Sequence, residues 1–328
     1  EFAIREKIHV NMDNFDEYER TKKFIAANKD MELGEIGFRI NPLVGAGEIA
    51  ALSVSTSASK FAVPISKREQ LIQCYVENPW MNSVHCHVGS GGMGALVLAA
   101  GIRTIVDFAK EVNKTVGRKQ VTVLDIGGGL PVNYWGDEFK AEKVPNFMEY
   151  ADHLREKIPE LFSGEFKIVT EFGQSMNAKC GILASTVELM KGTEEAPIAI
   201  IHFGADCCVR QAYPEDHKRR LEAYQADGTK YAADAPTKTT SVGGPLCFQG
   251  DFLARKIQLP AALKAGDFMV MKDAGANTLS LFSRHCSRLC PAVYGYRWTD
   301  STRTEIKELI EIKKQETMED VSHFWGDL

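Results

Sequence analysis

The sequence predicts an α/β protein in which a run of parallel βα units precedes a mainly antiparallel β domain, and three observations predict it. From Ile8 to Glu171 an apolar strand, a polar or glycine-rich turn and an amphipathic helix recur, which is the pattern of βα units. Each strand body is apolar, yet each ends on groups that chemistry can use: Asp13, Arg39, His87, the Gly127 run and Glu171. Beyond Ala178 strands follow one another without long helices between them, the mark of an antiparallel domain.

In chain order the expected parallel strands are Ile8–Asn11, Ile36–Asn41, Val84–Val88, Val121–Ile126 and Ile168–Glu171. Helix starts are signalled by Asn14 three before Glu17 and by Ser66 three before Glu69, each a potential capping box. Useful groups at every strand end fit the catalytic face of a (β/α)8 TIM-type barrel. An open doubly wound sheet would instead gather them at one switch point. A full barrel takes about 250 residues, so the five units seen here make an incomplete one. Residues 1–177 are therefore expected to form a partial barrel, and residues 178–328 a β domain with a terminal helix. Its strands are expected at Ile182–Met190, Ile198–Phe203, Ser241–Leu246, Phe268–Lys272 and Ala292–Tyr296, with a loop over Ala226–Thr240.

Composition narrows the function classes. The chain has 328 residues, 44% of them hydrophobic, and a formal charge of -5 with both signs intermixed. This excludes a basic stripe for nucleic acid and a polybasic membrane patch. The apolar stretch Met93–Ala109 is broken by Arg103 and Asp107 and is too short for a membrane span. No export signal opens the sequence, so the cytoplasm is the expected location. Eight cysteines at irregular spacing point to reduced thiols. His85-Cys86-His87, or Cys286 and Cys290 with His285, contain metal-ligand types, but neither makes a paired Cys-x-x-Cys set, and no metal is expected.

Three glycines after a strand, Gly127-Gly128-Gly129, let backbone N–H groups converge on an anion, though a tight turn alone would also use them. Glu171-Phe172-Gly173-Gln174 at the next strand end favours phosphate, because barrels build phosphate sites from neighbouring βα loops. Strand alternation puts His85 and His87 on one face, with Val84 and Cys86 toward the helices.

The order HVGSG (His87–Gly91), LDIGGG (Leu124–Gly129), Glu-x-Gly at Glu171, GPLCFQGD (Gly244–Asp251) and DAGA (Asp273–Ala276) resembles the fold type III pyridoxal-phosphate decarboxylases, whose barrel is alanine-racemase-like. Arg39-Ile40-Asn41-Pro42 and Arg210-Gln211-Ala212-Tyr213 look closest to diaminopimelate decarboxylase, a lysine-biosynthesis enzyme, with the ornithine and arginine decarboxylases as neighbours. The resemblance implies decarboxylation of a basic or dicarboxylic amino acid with pyridoxal 5'-phosphate. It implies that His87 stacks on the pyridine, that Ser90, Gly127, Gly128 and Gly129 bind phosphate, and that Glu171 pairs with the ring nitrogen. Gly173, Gln174, Arg39 and Asn277 join the cofactor set. Cys247 would be the acid that protonates carbon, delivered from the partner subunit of a homodimer with a shared active site. Arg210, Asp251 and Phe248 would face the substrate.

The sequence departs from the family pattern at four points. Gln174 stands for a phosphate-binding arginine, Asn277 for a tyrosine and Phe248 for an acidic residue. The lysine that carries the cofactor, at the end of the first barrel strand in the family, has no counterpart here: Lys60, Lys179 and Lys272 fall in other contexts. On this reading about 100 residues, three βα units of the barrel, are missing, and the chain by itself is expected to be inactive. Two other readings follow from the same residues: a non-catalytic relative serving as a regulatory or binding subunit, and a phosphate-sugar enzyme using the glycine loop.

Overall fold

Parallel strands need both faces covered, and the strands of the first unit are apolar on both. In the computed structural model, which describes residues 1–47, 53–90, 93–134, 144–212, 219–302 and 305–326, six strands form this sheet. They are β1 (Val10–Met12), β2 (Ile36–Asn41), β3 (Val63–Pro64), β4 (Ser83–His85), β5 (Val123–Asp125) and β6 (Lys167–Val169). Every pairing is parallel. The order is β1-β2-β4-β5-β6, with β3 against the end of β2. Register aligns Phe38, Val84, Leu124 and Ile168 across the sheet. The next row along is Arg39, His85, Asp125 and Val169, so the sheet turns polar within one residue, at the C-terminal ends of its strands. Gly37 permits the close approach of β2 to β4, because a Cβ there would lie 1.8 Å from the Ser83 carbonyl oxygen.

The helices of this unit are α1 (Phe2–Arg5), α2 (Phe15–Ala27), α3 (Arg68–Glu77), α4 (Ala95–Val116), α5 (Phe147–Lys157) and α6 (Gly173–Asn177). In α4, Leu98, Ile102, Ile105, Ala109 and Val112 are buried at the three- and four-residue spacing of one helix face. Gly117, at φ +68°, ends it as glycine commonly does. At α2 the Asn14 side chain accepts the Glu17 N–H at 2.9 Å, but Glu17 reaches back to the N–H of Asp13, so the box is displaced by one residue. The expected box at Ser66 is absent. A 3-10 turn over Ile65–Lys67 runs straight into α3 and leaves Lys67 as its cap. A full box forms instead at Asn146 and Glu149.

The second unit begins at Asn177 and also takes in Tyr134. Its main sheet holds β7 (Leu183–Gly192), β8 (Pro197–Ile201), β9 (Leu221–Tyr224), β10 (Thr237–Gly243), β11 (Phe252–Pro260) and β12 (Phe268–Met271). The order is β11-β10-β8-β7-β12-β9. Only the pair of β8 with β10 is parallel. A hairpin of β13 (Val293–Trp298) and β14 (Ile306–Lys313) and two helices, α7 (Val209–Ala212) and α8 (Met318–Trp325), complete it. The loop expected to reach Thr240 ends at Pro236, because the β-branched run from Thr237 pairs with β11. Each unit has its own apolar core. No helix among the described residues is long and apolar enough to cross a membrane.

Candidate active site

The polar row of the first unit gathers a cluster whose centre is Glu171, just past β6. Loops beyond the strands are laced together by backbone bonds: Cys86 N–H to the Asp125 carbonyl, Ile126 N–H to that of Val169 and Glu171 N–H to that of Gly127, at 3.0, 3.0 and 2.8 Å. Within this frame the His87 Nδ1 accepts the Gly128 N–H at 3.0 Å. That nitrogen therefore carries no proton, and the Nε2–H donates to the Ser90 hydroxyl at 3.1 Å. Both ring edges are held, which fixes the imidazole plane.

The glycine run is required by its surroundings. Gly127 has φ +67° and Gly129 φ +103°, and a Cβ on either would come within 2.4 Å of the Cys86 oxygen or 2.6 Å of the Gly89 oxygen. At Gly128 a Cβ would meet the Glu171 oxygen at 2.8 Å and the His87 ring at 3.3 Å. No other residue allows this loop to close on the His87 loop.

Glu171 lies 3.6 Å from His85 Nε2 and 3.5 Å from His87 Nδ1. His85 is the first cause that holds its carboxyl well below the usual carboxylate range. Since His87 Nδ1 is already an acceptor, His85 is the partner that can donate. His85 is 4% exposed, and neither of its ring nitrogens has a hydrogen-bond partner. Asp125 is nearby, its carboxylate taking Asn11 Nδ2 and the Gly127 N–H, each at 3.0 Å. His85, Asp125 and Glu171 thus bring one ligand atom each within 4.8 Å of one another. Arg39 closes the other side, 3.9 Å from Asp13 and over the Phe61 ring. Phe172 packs against Phe147 and Tyr150 of α5, anchoring the turn that carries Glu171, Gly173 and Gln174.

A second cluster belongs to the other unit. Arg219 is 3% exposed and gives Nε to the Asp273 carbonyl at 3.0 Å and Nη2 to that of Ala276 at 2.9 Å, bracing the turn that leads to Asn277. Asn277 sits at φ +54°, a conformation asparagine tolerates better than most residues. Arg210 lies on α7 with its Nη1 buried and unpaired, as is the Nη1 of Arg219. Burial lowers the Arg210 guanidinium below its ordinary value and Arg219 adds to this. Among the described residues no carboxylate pairs with either arginine.

Cys247 is exposed, on the turn after β10, with its sulfur 3.2 Å from that of Cys286. Phe248 packs beside the His285 ring. Asp251 differs from the expected substrate contact: it is 3% exposed, and its carboxylate accepts the N–H groups of Ala205 and Leu246 at 2.7 and 2.8 Å. Its work is to hold the Cys247 turn. Gly91 and Tyr213 lie outside the described residues.

Sequence reading missed Asp125, Arg219 and the meeting of Cys286 with Cys247. Asp125 was in view only as part of a glycine motif, and its row position follows from register. Arg219 needed the knowledge that it is buried. Cys286 is 39 residues from Cys247, so spacing could not join them.

Comparison with known proteins agrees with this architecture. The family model described as "Pyridoxal-dependent decarboxylase, pyridoxal binding domain" matches residues 1–178. The chain is 25% identical over 293 residues to a diaminopimelate decarboxylase of Methanothermobacter thermautotrophicus, covering 89% of this chain and 65% of that protein. It is 29% identical over 260 residues to that of Haemophilus influenzae, covering 78% and 58%. The chain thus spans at most about two thirds of the length of these relatives. Among solved structures, diaminopimelate decarboxylase from Helicobacter pylori complexed with L-lysine superposes with a TM-score of 0.79 at 21% identity, covering 97% of this chain and 73% of that one. The M. jannaschii enzyme, in co-complex with L-lysine, gives 0.78 at 22%, covering 96% and 69%. The fold is therefore that of an incomplete TIM-type barrel followed by a β domain, and the chain belongs to the pyridoxal-dependent decarboxylase family.

Proposed function

We propose that the protein takes part in pyridoxal-phosphate-dependent decarboxylation of an amino acid of the diaminopimelate kind, one bearing a second ionic group. The observation that carries this is the Glu171 carboxylate, kept ionised beside two strand-end histidines.

The donor set fits the cofactor. Glu171 offers a charge for a pyridinium nitrogen, the His87 ring is fixed at both edges, and Ser90 with the Gly129 N–H offers small, neutral donors for a phosphate. The Gly127 and Gly128 N–H groups are held by Asp125 and His87. Pyridoxal phosphate would supply an electron sink for the bond that breaks to release carbon dioxide. Glu171 would hold the proton on the ring nitrogen, and His87 would cover the ring face. Gly173, Gln174 and Arg39 would border the phosphate and ring. Arg210, aided by Arg219, would read a substrate carboxylate with planar donors. Cys247 would return a proton to the α-carbon. A second copy of the chain would complete the site.

Binding of pyridoxal 5'-phosphate, by fluorescence titration, and carbon dioxide release from meso-diaminopimelate, lysine, ornithine and arginine test the reading. In a protein that also carries the cofactor lysine, Glu171→Gln should bind the cofactor and lose about 100-fold or more in turnover, a carboxylate's share of proton control. Equal turnover in the variant, or no cofactor binding by the wild type, would overturn it.

A second reading is a non-catalytic relative acting as a regulatory or binding subunit. It is favoured by Phe248, which cannot accept an amine. It is favoured too by the fact that no lysine among the described residues pairs with Glu171 or hydrogen-bonds His87 or Ser90. Cofactor binding without release of carbon dioxide from any of the four substrates would establish it.

A further inference from the structure

Two exposed thiols and an imidazole converge in the second unit although they are far apart in sequence. One ligand atom each of Cys247, His285 and Cys286 falls within 4.8 Å of the others. The loop that carries the last two is clamped at both ends. Arg284 forks onto Glu316 at 2.8 and 2.7 Å, and Arg288 bonds Asp206 at 3.0 Å and the His202 carbonyl at 2.9 Å. Between the clamps Cys286 and Ser287 both sit in the left-handed region, at φ +57° and +53°. Two consecutive non-glycine residues there are costly and persist only where their surroundings impose them. On the other side Asp251 fixes the turn of Cys247. Cys290 turns away, buried, with its N–H on Glu316 at 2.8 Å.

We propose that Cys247, His285 and Cys286 form a site for a soft divalent metal ion of the zinc type, with a fourth coordination position open. Two thiolates and one imidazole are a ligand set that zinc takes in tetrahedral geometry. Zinc–sulfur bonds of about 2.3 Å at a tetrahedral angle separate the sulfurs by about 3.8 Å, so the observed pair at 3.2 Å has to open by only a small fraction of its separation. Charge argues the same way. Two thiolates side by side repel, and a dication removes that repulsion as both thiol protons leave. Metal-bound Cys247 has no proton to give, so metal occupancy and proton donation exclude one another. That consequence rests on the functional reading above, whereas the metal site does not.

The test is titration of the reduced, metal-free full chain with cobalt(II), followed by displacement with zinc. One equivalent should raise a thiolate-to-cobalt charge-transfer band together with the visible absorption of tetrahedral cobalt. The band should fall by about half in Cys286→Ser and vanish in the Cys247→Ser, Cys286→Ser double variant, because each thiolate contributes separately. Zinc affinity, by competition with a chromophoric chelator, should weaken by about 100-fold in Cys286→Ser and in His285→Ala, at least what loss of an outer-shell partner costs. Cys180→Ser should change nothing. The cluster of His85, Asp125 and Glu171 has no sulfur and cannot give the band. Absence of the band, its undiminished strength in Cys286→Ser, or a Cys247–Cys286 disulfide that survives reductant would overturn the proposal. Cobalt binding by a protein whose metal-free form binds no pyridoxal phosphate would sink the functional reading alone.

Discussion

At the scale of single residues, the sharpest feature is His85, which is buried, bears no hydrogen bond on either nitrogen and lies in a row of otherwise satisfied groups. An unpaired buried polar group costs about 1–3 kcal/mol, and a fold tolerates one where function needs it. His85→Leu removes that cost but also removes the first cause of the depressed Glu171 carboxyl, a contribution present at neutral pH and lost as pH falls. The variant should therefore gain stability relative to the wild type in acid and not at neutral pH. Because His85 is the first cause of the depressed Glu171 carboxyl, the same variant should let that carboxyl titrate closer to its ordinary value. Thermal unfolding and carboxyl-carbon NMR read the two effects. A large loss of stability with an unchanged Glu171 titration would show that His85 is only packing.

At the scale of elements, β2 was the most legible, since Ile36–Asn41 is apolar but for Arg39 in its body and bounded by turn residues. The histidine, glycine and glutamate loops were legible as motifs because their chemistry is local. What could not be read was whatever depends on burial or pairing. β14 escapes because Ile306–Lys313 mixes Glu and Lys in a way that suits a helix as well. β9 and β11 escape because one is short and flanked by arginines and the other turns at Lys256, φ +53°. The same limit hid the tie between α4 and the 3-10 turn at Pro159–Phe162. There Glu160 accepts a fork from Arg103 at 2.8 and 3.0 Å and a bond from Lys110 at 2.9 Å. Arg103, then Lys110, pushes the Glu160 carboxyl down from 4.5 to about 2. A carboxyl depressed in the folded state stabilises fully above its unfolded value, and that stability is lost as pH falls through the folded one. The window thus runs from about pH 4.5 down to about pH 2. Arg103→Met should remove about 1 kcal/mol at neutral pH and flatten this acid limb in urea unfolding. An equally steep limb in the variant would assign the acid sensitivity elsewhere.

At the scale of the whole molecule, a formal charge of -5 leaves self-association open, since it is spread over a chain with both signs intermixed. The hairpin of the second unit offers a surface for it. Tyr296 stands directly opposite Leu309, and Tyr294 lies two residues along the same face, while Trp298 packs edge-on against Tyr296 at 5.1 Å. Tyr294, Tyr296 and Leu309 are 52, 42 and 64% exposed. An apolar sheet face of this kind is a common interface, and the homodimer that the family resemblance implies would provide an isologous partner, presenting each residue twice. Burying Leu309 is worth about 1.5–3 kcal/mol per copy, so Leu309→Asp, which replaces that gain with a buried carboxylate in both copies, should weaken the dimer by at least 100-fold, a loss of about 2.7 kcal/mol. Sedimentation velocity across micromolar concentrations, with circular dichroism to confirm that the hairpin persists, measures this. A wild-type protein that stays monomeric over that range, or a variant that dimerises as well as the wild type, would remove the hairpin from the interface.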